Sequence, residues 1–176
     1  MIVAGTGQDV VRVVTELQRI LRAQRSALDC ADAAAEFIRR LFRANSATVN
    51  LMDYEQQQYQ TITNVGELST GESHHPAAEF YSFDSFPATT QQLLRGGAYR
   101  ASLGDPHCQP EHLRILRSHH KHACMGAPIR IHGRPLGELW LTRSGVDDFT
   151  ENDADLAVAC GATIARHLAK LPPMAA

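Results

Sequence analysis

The feature that most restricts the fold is a pair of strand-forming runs near the C-terminus, ACMGAPIRIH at residues 123–132 and LGELWLTR at 136–143, separated by Gly133, Arg134 and Pro135. Runs joined so closely must pair antiparallel, because a parallel partner needs a crossover of a dozen or more residues. The turn is expected at Gly133-Arg134-Pro135, where glycine tolerates positive φ and proline presets its own. A second hairpin is expected earlier. Ala47, Val49 and Leu51 alternate with Thr48, Asn50 and Met52, and QQYQTITNV follows after the polar DYEQ.

Elsewhere the apolar period is helical. From Gln8 to Gln24 it runs through Val10, Val13, Val14, Leu17, Ile20 and Leu21, almost two heptads, which suits packing on the domain or pairing with a second copy. After Ser26 come Cys30, Ala34, Phe37, Ile38, Leu41 and Phe42, with Asp29 and Asp32 near the positive end of the helix dipole. A last helix should start at Thr150, whose hydroxyl can cap the N–H near Asp153, bury Leu156, Cys160, Ile164 and Leu168, and stop at Pro172-Pro173.

Between the hairpins, residues 66–97 combine Gly, Ser, Thr and Pro with His74-His75, the aromatic group Phe80, Tyr81, Phe83 and Phe86, and a short helix ending at Gly96-Gly97. AYRAS can be a strand, and a helix should begin at Pro110, where a missing N–H costs nothing. The resulting order, α-α-β-β-loop-α-β-α-β-β-α, excludes regular βαβ winding. It predicts an α+β domain: a mostly antiparallel sheet with the terminal helices on one face and the middle loop and helix on the other. Residues 1–25 form an amphipathic N-terminal segment, 26–171 the domain and 172–176 a tail.

A chain of 176 residues with 44% hydrophobic and 20% charged residues has the makings of one folded domain. Its formal charge of −2 supplies no broad basic field, so direct nucleic-acid binding is not expected. No window holds the roughly 18 apolar residues of a membrane span, and MIVAGTGQDVV lacks the basic start and apolar stretch of a signal peptide, so the expected location is cytoplasmic. Cys30, Cys108, Cys124 and Cys160 are widely spaced with no CxxC pair, which argues against a disulfide framework or zinc knuckle.

Three words, HACMGAPI at 122–129, GRPLGELWL at 133–141 and FTENDADLA at 149–157, taken with the element order, resemble the GAF family over about Ser26 to Leu171. The resemblance implies a six-stranded antiparallel sheet whose middle insertion covers a pocket. Family ligands include cyclic nucleotides, haem, bilins, amino acids and small anions, so the cofactor stays unknown. It also implies terminal helices that build a parallel dimer bundle and signal to a kinase, cyclase or transcription module. No effector follows Leu171 here, so a separate one is expected. In light-sensing members a Cys-His pair holds a bilin; His112 takes the place of that His, but Glu111 stands at the thiol position and Cys108 lies three residues early, before Pro110. A covalent bilin is therefore not expected.

Four aromatic residues within seven positions, in a chain with six Phe, four Tyr and one Trp, suggest a lid over a cavity or a local minicore. His112, Leu116 and His119 share one helix face at i, i+4 and i+7. The expected pocket, formed by region 79–122 against the sheet, therefore comprises Phe80, Tyr81, Phe83, Phe86, Tyr99, His112, Leu116, His119 and Cys124. His112 and His119 would stand about 10.5 Å apart along a helix, too far to share one tetrahedral metal. Cys108 with His112, or a cluster of His119, His120 and His122, could hold one, though neither has a recognised zinc spacing. A single haem ligand could come from His112, His119 or the His74-His75 loop.

The expected function is a sensing domain that binds an unidentified small molecule and relays through its terminal helices, as a homodimer. No catalytic residue is assigned. One alternative is a thiol enzyme, similar to free methionine sulfoxide reductases, with Cys108 and Cys124 as the thiols. Others are a haem- or metal-binding sensor and an interaction-only dimer with a filled pocket. The Gly-x-Ser-x-Gly and Gly-x-x-x-x-Gly-Lys signatures are absent. Arg100, Arg114 and Arg117 could neutralise an anionic ligand, although arginines on a helix surface are usually solvated.

Overall fold

A computed structural model describes residues 7–172. The first six residues of the N-terminal segment, and residues 173–176 of the tail, lie outside the described residues. The elements are α1 (Gly7–Arg22), α2 (Ala27–Leu41), β1 (Ser46–Asp53), β2 (Gln58–Gly66), β3 (Phe80–Ser82), a 3-10 turn (Phe83–Ser85), α3 (Pro87–Leu94), β4 (Tyr99–Ser102), α4 (Pro110–Ser118), β5 (Ala123–Ile131), β6 (Arg134–Arg143) and α5 (Glu151–Leu168). The strands form one sheet in the order β3-β2-β1-β6-β5-β4, with every neighbouring pair antiparallel.

Local chemistry explains the boundaries. Ser26 Oγ accepts from the Asp29 N–H at 3.1 Å and starts α2. At α5, Thr150 Oγ1 accepts from the Asp153 N–H while Asp153 Oδ2 accepts from the Thr150 N–H, so two orphan donors are satisfied reciprocally. The β5–β6 turn differs from the sequence expectation. Its two loop residues are His132 and Gly133, with φ of 48° and 82°, whereas Arg134 and Pro135 already pair in β6. Positive φ at both positions suits the right-handed twist of the hairpin, and glycine at the second removes half the steric cost. The aromatic loop also contains a strand the sequence did not signal. β3 pairs only three residues with β2, too few to display an alternation.

The sheet separates two cores. On one face α1, α2 and α5 cover Ala47, Val49, Met125, Ala127, Ile129, Leu139 and Leu141, with Leu17, Leu21, Ile38, Cys160 and Ile164 interleaved from the helices. α5 lies close to β5: a methyl on Gly161 would overlap the Pro128 carbonyl oxygen. On the other face a smaller cluster gathers Met52, Tyr59, Phe83, Leu93, Tyr99, Leu116 and Cys124. Because side chains alternate along a strand, Glu138 and Trp140, which alternate with the core-facing Leu139 and Leu141 of β6, point to this second face. Among the described residues, no helix is long and apolar enough to cross a membrane.

Candidate functional site

On that second face a partly open cavity of about 90 Å³ lies between the sheet and the α3–α4 cover. The sheet supplies Asn50, Tyr59, Tyr81, Tyr99, Glu138 and Trp140, and the cover supplies Phe86, Thr89, His112, Ile115 and His119. Its base is a polar ladder. The Tyr99 hydroxyl donates to Glu138 Oε1 at 2.7 Å, the Asn50 amide donates to Glu138 Oε2 at 3.3 Å, and the Thr61 hydroxyl donates to Asn50 Oδ1 at 2.9 Å. Gly126 on β5 makes room for this pair, since a methyl there would overlap both the Tyr99 ring and Glu138 Oε1.

Glu138 is 5% exposed. Burial raises its pKa to about 7, against the pull of the Tyr99 and Asn50 donors toward the ionised form. A carboxyl so placed can present either a proton or a charge near neutral pH. Among the described lining residues it is the sole carboxylate, and there is no Lys or Arg to balance it. Burial pushes the phenols of Tyr99, Tyr59 and Tyr81 up, so they act as neutral hydroxyls. The Tyr59 and Thr90 hydroxyls are 2.7 Å apart, while the Tyr81 hydroxyl donates to Glu79 at 2.9 Å.

The roof is set by α3 and α4. His112 stacks on Tyr99 with ring centroids 5.0 Å apart and on Phe86 at 6.2 Å, and its Nε2 lies 2.9 Å from the Thr89 hydroxyl. Burial lowers its pKa, favouring the neutral ring. α4 ends at Ser118, so His119 is its cap rather than part of its face. From there it reaches the cavity edge, 6.4 Å from Trp140 edge-on, with Nδ1 3.4 Å from Glu72.

Of the residues expected at the site, Tyr81, Phe86, Tyr99, His112 and His119 line the cavity. Phe83, Leu116 and Cys124 are buried in the packing around it. Phe80 is 47% exposed on the edge strand. Asn50, Tyr59, Thr89, Ile115, Glu138 and Trp140 were not anticipated. The signal for Glu138 and Trp140 was present in LGELWL, where a carboxylate and an indole alternate with core leucines. Arg100 is directed elsewhere, donating to the Phe149 carbonyl at 3.0 Å, and Arg114 and Arg117 are exposed.

A family model, the GAF domain, matches residues 11–168. The chain belongs to the GAF domain family. Solved structures agree with this GAF domain in fold. The chromophore-binding domain of an unusual bacteriophytochrome from R. palustris has a TM-score of 0.74 at 14% identity, over 94% of this chain and 63% of that chain. The chain thus spans less than two thirds of that relative. The GAF domain of an Acinetobacter phosphoenolpyruvate-protein phosphotransferase gives 0.71 at 13% identity, covering 93% and 95%. Its Coxiella burnetii counterpart gives 0.73 at 14%, covering 94% and 95%. A comparison of the sequence with curated proteins returns no match. GAF domains thus occur in sensory and signalling proteins, phytochromes and phosphotransferases among them.

Proposed function

We propose that this GAF domain senses a small, largely planar molecule carrying an N–H donor or a positive charge, bound between the aromatic walls and Glu138. The single observation that carries the reading is a buried, unbalanced carboxyl at the base of an aromatic cavity. An ionised Glu138 facing a donor-bearing ligand recovers the interaction it loses on leaving water. The aromatic walls suit a flat or cationic partner. An anionic ligand would meet this carboxylate with no Lys or Arg in the lining to offset it. A cavity of about 90 Å³ is small against the ~300–1,000 Å³ typical of drug-sized sites, so a haem or bilin would need the cover rebuilt.

Relay follows from the sheet's two-faced construction. A ligand that favours one position of Trp140 and His119 shifts β6 and β5, and α5 sits on β5 at Gly161 without slack. In this reading α1 and α5 present the moved surface to a second copy of the chain and to a separate effector. The thiol-enzyme reading has less support. Burial pushes Cys124 up to about 12, and burial with Asp105 nearby also raises Cys108, opposite to what an attacking thiolate requires.

Native mass spectrometry of the purified chain tests the proposal. The expected result is a non-covalent adduct of low mass on the wild type that is lost from Glu138→Gln. A wild type carrying no adduct, together with no binding of small aromatic amines such as tryptamine and benzamidine, would overturn it.

A further inference from the structure

We infer that Asp32, His74 and His75 form a binding site for a first-row divalent cation of the Zn²⁺ type, clipping the 67–79 loop to α2. His74 and His75 occupy a bend of the loop between β2 and β3, which lets consecutive imidazoles face the same side. Here the His74 and His75 rings stack with centroids 4.0 Å apart and planes 23° from parallel, and both Nε2 atoms converge on one carboxylate. His75 Nε2 lies 2.8 and 3.0 Å from the two Asp32 oxygens, and His74 Nε2 lies 3.3 Å from Oδ1. The ligand atoms all fall within 4.8 Å of one another.

A tetrahedral ion with bonds of ~2.0–2.2 Å holds its ligand atoms ~3.3 Å apart, so small side-chain rotations close this triangle on a metal. Two imidazoles and one carboxylate suit zinc and its neighbours better than calcium or magnesium, which prefer all-oxygen shells. Without an ion, two stacked imidazoles share a single carboxylate. Asp32 is available for the role, because Glu36, one turn on, is engaged by Arg39 and Arg40. The partly exposed side chains leave a fourth position for water.

The loop so held also contacts His119, which lines the cavity. The Asn64 N–H donates to the His74 carbonyl at 2.8 Å, and Glu72, two residues earlier, faces His119 at the cavity edge. An ion at Asp32 would therefore fix the segment that joins the helical layer to the pocket rim. The site itself is independent of what the cavity binds.

Isothermal titration of the full chain with ZnCl₂ at neutral pH tests this. One site per chain is expected, with affinity reduced at least about tenfold in His74→Gln, His75→Gln and Asp32→Asn, and unchanged in the exposed-loop control His107→Ala. His74 and His75 are exposed and Asp32 is half-buried, and circular dichroism verifies that each variant is folded. Absence of saturable binding by the wild type would overturn the inference. So would unchanged affinity in a His74→Gln/His75→Gln double variant, which would assign zinc to other histidines.

Discussion

The Tyr99 hydroxyl of β4 donates to Glu138 Oε1 of β6 at 2.7 Å, over the space left by Gly126 on β5, the strand between them. That spacing depends on a residue without a side chain. Gly126→Ala should push the Tyr99 ring and the carboxyl apart, cost about 1–3 kcal/mol and weaken ligand binding. Urea unfolding measures the first effect, and a variant as stable as the wild type would contradict the packing described.

Glu138 should give stability a pH dependence of defined sign. Its folded pKa of about 7 lies above the ordinary value of 4.5, so the native state keeps a proton that the unfolded chain releases. Stability is then highest below the ordinary value and falls as pH rises through 7, by at most about 3 kcal/mol. Glu138→Gln has no such term. Relative to the wild type, its melting temperature should rise by about 5–10 °C between pH 5 and pH 8. An offset that does not change with pH would show that the carboxyl is ionised throughout.

The cysteines should be sluggish in the native state. Burial pushes Cys30 to about 11 and both Cys124 and Cys160 to about 12, and Cys108 is half-buried with a raised pKa. Titration with a chromogenic disulfide reagent at neutral pH should modify Cys108 slowly and the others only after unfolding. Rapid native modification of Cys124, or a Cys108–Cys124 disulfide on mild oxidation, would restore the thiol-enzyme reading.

Much of the fold was legible because it is written in local chemistry. Thr150 and Asp153 signal their own helix start, and the alternation along β1, β5 and β6 is long enough to identify strands and faces. β3 was not legible, since three residues carry no period and Phe80 faces outward on an edge. The site was legible in part. His112 follows from helical spacing, but the same spacing favoured Leu116 over Ile115, because His119 was read as part of the helix that ends one residue before it. Glu138 and Trp140 required the core-facing residues of β6 to be assigned first. The pairing of His74 and His75 with Asp32 depends on the path of a loop some forty residues away in sequence, which no local pattern encodes.

Trp140 is the sole tryptophan of the chain and lines the cavity, so its fluorescence reports on that site alone. Titration with tryptamine would be obscured by the ligand's own indole, so benzamidine and small aliphatic-armed phenyl amines are the suitable probes. A saturable change in Trp140 emission is expected for at least one of them, with affinity weakened about 10–100-fold in Glu138→Gln. No saturable change with any probe, or equal affinity in the variant, would contradict the claim that this carboxyl and these rings form a ligand site.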